Sequence, residues 1–193
     1  GSRILAPFLG TSLVVWTSLI GIILASLSLG AWWGGILADR RPSARVLGRI
    51  VLFAAWATAA IGLSRGWVLP VLQGSGSLHL AAIVATLVLF APASVLLGMV
   101  APFAVRLQLA DTDTAGRTAG SLYALSTIGS IAGTFLAGFV LIAWVGSTAI
   151  LFITAMVLAA AAWLAAPSGR LFQGLSLLVF VLALLIGRAQ DRR

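Results

Sequence analysis

The sequence predicts an all-α, polytopic transmembrane helix bundle of about six spans, folded as one domain over residues 1–193. Three observations carry that expectation. Hydrophobic residues make up 61% of the chain and charged residues only 8%, with a mean hydropathy of +1.15. A soluble domain carries roughly 25% charged residues, so the polar surface needed to stay in water is lacking. Apolar runs recur along the whole length, which separates the chain from a secretory leader or a lone anchor. Finally, a span takes about 20 residues at about 1.5 Å rise each. The 193 residues therefore accommodate such a bundle with short loops and leave no room for a separate soluble domain.

The elements follow in order. A first span is expected over 11–38, closed by Asp39-Arg40-Arg41-Pro42, because proline stops a helix and a basic cluster marks a membrane face. A second, over 46–63, is closed by Ser64-Arg65-Gly66. From Trp67 to Leu80, Pro70 and the run Gly74-Ser75-Gly76-Ser77 predict a loop with an interfacial piece, Trp67 lying at headgroup level. The third span, 78–107, contains Pro92 and Pro102 and is expected to kink or break there. After the polar connector 110–117 comes a fourth span, 118–145, dense in Gly, Ser and Ala. The fifth, 147–166, is stopped by Pro167-Ser168-Gly169-Arg170, and the sixth, 171–187, is short but within the range of a span. Ile4-Leu5-Ala6-Pro7-Phe8 reads as the end of an earlier helix, so a helix preceding this chain is expected.

All twelve basic residues are arginine, and the acids are Asp39, Asp111, Asp113 and Asp191. The arginines stand singly or in small groups at span ends, as in cytoplasmic loops, and form no basic stripe with interleaved aromatics. A nucleic-acid partner is therefore not expected. With the Arg40–Arg49 loop inside, alternation also places Arg106, Arg117 and Arg170 inside, seven arginines in all. Arg3, Arg65, Arg188, Arg192 and Arg193 fall outside; the basic tail conflicts with that side, a conflict removed if the last segment does not cross. Without cysteine, disulfides and thiol-ligated metal are excluded. His79, without carboxylate or cysteine neighbours, makes a poor metal ligand and reads as an interfacial side chain.

The sharpest local motif is Gly34-Gly35-Ile36-Leu37-Ala38-Asp39-Arg40-Arg41, followed by Arg45 and Arg49. It resembles the signature between the second and third helices of major facilitator superfamily transporters. There, small glycines admit a neighbouring helix and the aspartate accepts hydrogen bonds from that neighbour's N-terminus. Gly35, Asp39, Arg40, Arg41 and Arg45 are the motif residues carried over, with the arginines holding the loop at an anionic surface. Pro42 stands where the pattern has a second glycine, so gating by this loop is not carried over. The plain alternative is a short basic cytoplasmic loop.

Three longer blocks point further: Arg3 to Gly21, Gly98 to Leu107, and Gly120 to Phe139. Together they resemble the membrane region of bacterial fused transporter/spermidine-synthase-like proteins, in which helices precede a synthase-like domain. The resemblance covers residues 3 to about 147. It implies a major-facilitator-like six-helix half in a bacterial cytoplasmic membrane. It does not carry over aminopropyl transfer, because no synthase-like domain lies in this sequence.

Small residues recur at four-residue spacing in two rows: Ser26, Gly30 and Gly34, and Gly129, Gly133 and Ala137. In lipid such rows permit close helix contact and interhelical hydrogen bonds. Packing inside one bundle and packing against a second protomer both fit them. Pro92 and Pro102, with Gly98 between, are candidate ligand-lining positions, since broken helices expose carbonyls in transporters; a tolerated kink fits as well. Tyr123 and Ser126, one turn apart, are the best polar pair inside the membrane and the other candidates, with packing as their alternative role.

Absences shape the functional expectation. No Asp, Glu, Lys or His falls in the middle of an expected span, where proton relays and ion pathways place theirs. A polyamine would need carboxylates or an aromatic cage, and neither is evident. No nucleophile–base pair, dinucleotide fingerprint or metal cluster is present, so no enzyme activity and no cofactor are expected. Two functions remain. One is a non-catalytic membrane module that anchors or scaffolds a synthase-like domain or a larger complex. The other is a dimeric transporter-like half for a small organic solute. The expected partners are the lipid bilayer and either a second copy of the chain or other membrane subunits.

Overall fold

The computed structural model describes residues 13–73, 78–109, 115–145 and 147–165, together with 174, 176, 177, 180 and 181. Among these residues every regular element is helical. In chain order they are α1 (Leu13–Arg40), α2 (Ala44–Gln73), α3 (Leu78–Gly98), α4 (Val100–Gln108), α5 (Ala115–Phe135), a π-helical stretch (Leu136–Leu141), α6 (Ile142–Trp144) and α7 (Ser147–Ala165). Five stretches are long and apolar enough to cross a membrane: Val15–Arg40, Ala44–Ser64, Leu80–Gln108, Ala115–Trp144 and Ser147–Ala165. These match the first five expected spans. The sixth lies mostly outside the described residues; within it Gly174, Ser176, Leu177, Phe180 and Val181 are helical.

Local chemistry explains the boundaries. α1 ends as Arg41 N–H bonds the Leu37 carbonyl at 2.9 Å, and Pro42 prevents continuation. α2 begins when the Ser43 carbonyl accepts from Val46 and Leu47. The expected loop from Trp67 is corrected: α2 runs on to Gln73. Trp67 to Leu72 is apolar apart from Pro70, and a proline one turn from a helix end forfeits a single backbone bond. In the third span the backbone passes through Pro92 and yields at Met99, which separates α3 from α4. Pro102 has no N–H to offer the Gly98 carbonyl, so the ladder fails one turn before the proline. The interruption is shallow, with Met99 at φ −68, ψ −22 and its N–H still 3.2 Å from the Val95 carbonyl.

α1 lies parallel to α3 and α4, while α2 packs on α3 and runs antiparallel to α7. Lipid tails are as apolar as leucine, so what holds such helices together is close van der Waals packing rather than escape from water. Small residues permit it. Ala54, Ala55 and Ala59 of α2 and Ala155, Ala159 and Ala162 of α7 are all buried, and Phe152 and Phe180 fill the space beside them. A second cluster joins α1, α2 and α3 around Val15, Leu19, Ile61 and Leu89. A third joins Ala38, Ile50, Met99 and the fully buried Phe103. The buried hydroxyls of Thr58 and Thr86 donate to Ala54 and Ala82 of their own helices, each at 2.8 Å, so neither is left unsatisfied.

Candidate functional site

Three features carry the residues singled out from the sequence: a glycine seam, a basic end and a cleft. The seam is formed by both sides. A Cβ at Gly30 would collide with the Val95 carbonyl, one at Gly34 would lie 2.6 Å from Met99 Cα, and one at Gly98 would collide with the Leu27 carbonyl. α1 and the third span therefore touch backbone to backbone, with Ser26 buried in the same row. The row Ser26, Gly30 and Gly34 thus packs within one chain. Gly34 makes the approach, whereas Gly35 has open space where a Cβ would stand.

Gly129 and Gly133 behave differently. A Cβ at either would meet nothing within 4 Å, and Ala137 is half-buried. None of the most apolar window of the Ala115–Trp144 span is buried. Its principal neighbour is α4, and most of its surface is uncovered. Thr127 and Thr134 donate to the Tyr123 and Ser130 carbonyls of their own helix at 2.8 and 2.7 Å. Phe135 and Phe139 stack on each other across the start of the π-helical stretch, centroids 5.7 Å apart.

The chain direction brings Arg40, Arg45, Arg49, Arg106 and Arg117 to one end of the bundle, where α1 and α4 finish and α2 and α5 begin. Arg40, Arg41 and Arg45 are exposed there. Asp39 accepts from Arg106, Nε to Oδ1 3.2 Å, with side-chain exposures of 74% and 44% respectively. The aspartate's partner is therefore a guanidinium at the end of α4, where the motif led us to expect a helix N-terminus. Sequence reasoning missed the pair, though opposite charge at the same expected membrane face was its available signal.

The cleft lies between α4 and α5, in the half of the spans nearer the basic end. It has a volume of about 480 Å³, within the roughly 300–1,000 Å³ of small-molecule sites. Val100, Ala101, Ala104 and Val105 form one wall and Leu122, Tyr123, Leu125 and Ser126 the other; Val51, Leu97, Leu158 and Ala161 complete it. Tyr123 and Ser126 also begin a shallower depression of about 350 Å³ that follows Thr127, Ser130 and Thr134 along α5. Of the four ligand-lining candidates the structure brings Tyr123 and Ser126 together at the cleft. Pro92 and Pro102 lie away from its lining. The lining contains no charged side chain, so it suits a neutral, largely apolar molecule and would leave an ion unsolvated. Among the described residues no three His, Asp or Glu side chains gather as a metal site. No protein-family model, curated protein or solved structure matches the chain.

Proposed function

We propose that the chain is a non-catalytic integral membrane module, resembling the membrane part of spermidine-synthase-like proteins, that anchors or scaffolds a synthase-like domain or a larger membrane complex. The observation that carries this reading is the uncovered Ala115–Trp144 span. It is long enough to cross the bilayer, yet Gly129 and Gly133 meet no other helix among the described residues, and of its hydroxyls only those of Tyr123 and Ser126 line the cleft beside α4. Elsewhere in the chain the same four-residue spacing is used for backbone-to-backbone contact. A helix with that surface is better matched to another helix than to acyl chains. The basic end faces the cytoplasm in this reading, since it gathers the arginines of the positive-inside loops. Purification in mild detergent and in native-lipid discs tests it. The expected result is a stable assembly that Gly129→Leu with Gly133→Leu dissociates without loss of helicity. A chain that always runs as a lone monomer in both media would sink the proposal.

The cleft favours a second reading, a dimeric transporter-like half of major-facilitator type for a small neutral organic solute. Tyr123 and Ser126 supply the hydrogen-bonding groups and the remaining lining supplies apolar contact. Uptake into proteoliposomes above that of empty vesicles, reduced by Tyr123→Phe with Ser126→Ala, is the expected outcome. No uptake across a panel of neutral metabolites would remove it.

A further inference from the structure

We propose that α4 is a hinged lever whose position is set by the Asp39–Arg106 ion pair, and that releasing this latch widens the cleft between α4 and α5. The lever is short, nine residues from Val100 to Gln108. It joins α3 at the weak point of the third span, where Pro102 gives the Gly98 carbonyl no hydrogen bond and Phe103 N–H reaches the Met99 carbonyl only at 3.4 Å. Its near end is fixed. Met99 is held against Gly34, and Phe103 is fully buried among Ala38, Ile50 and Met99. Beyond Phe103 the side chains of α4 are half-buried or exposed: Leu107 packs, partly buried, against the cluster of Ala38, Ile50, Met99 and Phe103, and the polar tie between the lever and α1 is the ion pair.

The same distal turn serves both functions. At about 100° per residue Arg106 projects to one flank of α4, toward Asp39. Val100, Ala101 and Ala104 lie on the opposite flank and, with Val105, form the cleft wall. A swing about Met99 that separates Arg106 from Asp39 must therefore move that wall relative to α5. α5 is held by few contacts of its own and does not pin the wall in place.

The electrostatics give the latch its direction. Asp39 is the only carboxylate among the described residues, and it lies at an end that also carries Arg40, Arg41, Arg45 and Arg49. With Asp39 present, Arg106 has one attractive partner among the described residues. Without it, the described charges at this end are the cations Arg40, Arg41, Arg45 and Arg49, which push Arg106 outward. Asp39→Asn should therefore release the lever more than Arg106→Gln, which removes attraction and repulsion together. An exposed pair biases an equilibrium modestly, by about two- to five-fold.

The absence of cysteine makes the test direct, because an introduced thiol is unique. Ala104→Cys, at the cleft wall, is reacted with an uncharged, lipid-soluble maleimide in nanodiscs, with Leu80→Cys as a distant control. Asp39→Asn is expected to raise the labelling rate at the cleft about two- to five-fold, Arg106→Gln by less, and the exchange Asp39→Arg with Arg106→Asp to restore the original rate. The control rate should not change. Raising salt from about 0.1 M to about 1 M shortens the screening length from about 10 Å to about 3 Å. It should accelerate labelling in the protein that keeps both charges, so the test does not depend on a variant folding. Labelling indifferent to Asp39→Asn and to salt overturns the proposal, as does an exchanged pair that labels as fast as Asp39→Asn.

Discussion

Adding one methyl group to Gly34 should unseat α1, whereas adding it to Gly35 should not. At Gly34 the new Cβ would lie 2.6 Å from Met99 Cα and 2.8 Å from the Met99 carbonyl oxygen, both backbone atoms that cannot rotate away. Carbon atoms pack at about 3.5–4.0 Å, so the helices must part locally by about 1 Å. A gap of that size forfeits a quarter to a half of the dispersion energy of the contacts it opens, and overpacked cores lose about 1–3 kcal/mol. At Gly35 no atom stands within 4 Å, and alanine is the better helix former by up to about 1 kcal/mol. Gly35→Ala should therefore be neutral or slightly stabilising, and Gly34→Ala destabilising by about 1–3 kcal/mol despite the same gain in propensity. Titrating detergent-solubilised protein with a denaturing detergent and following helicity measures the difference. If the two variants unfold at the same denaturant fraction, the backbone-to-backbone seam is not what holds α1 in place.

The other predictions use the same assay. Phe103→Ala empties a fully buried site at the base of α4 and should cost about 3 kcal/mol; a loss under about 1 kcal/mol would mean that the lever's near end is not fixed there. Thr86→Val should change stability by less than about 1 kcal/mol, because the buried hydroxyl bonds only the Ala82 carbonyl of its own helix. A larger loss would reveal a partner across the helix interface. Ala155→Leu inserts bulk into the fully buried face between α7 and α2 and should destabilise by about 1–3 kcal/mol. Gly129→Ala, where the added carbon meets open space, should leave unfolding of the single chain unchanged or slightly improved.

The described spans were legible because a membrane helix announces itself by composition alone: about 20 apolar residues need no particular period to be recognised. Pro102 made the break in the third span legible too, since its missing donor is a local fact. The loop expected from Trp67 fails because Gly and Pro signals that end helices in water are weaker where the surrounding residues are apolar. What no local pattern supplies is the partner of a surface. Ser26-Gly30-Gly34 and Gly129-Gly133-Ala137 are equivalent as strings, yet the first row touches the third span, whereas Gly129 and Gly133 of the second meet nothing among the described residues. The Asp39–Arg106 pair is hidden for the same reason, its members being brought together only once α1 and the third span lie parallel. That parallel arrangement depends on Gly30, Gly34 and Gly98, so the seam, the latch and the cleft are linked. A substitution that parts the seam should also separate Asp39 from Arg106, and the cleft between α4 and α5 would then be set by packing alone.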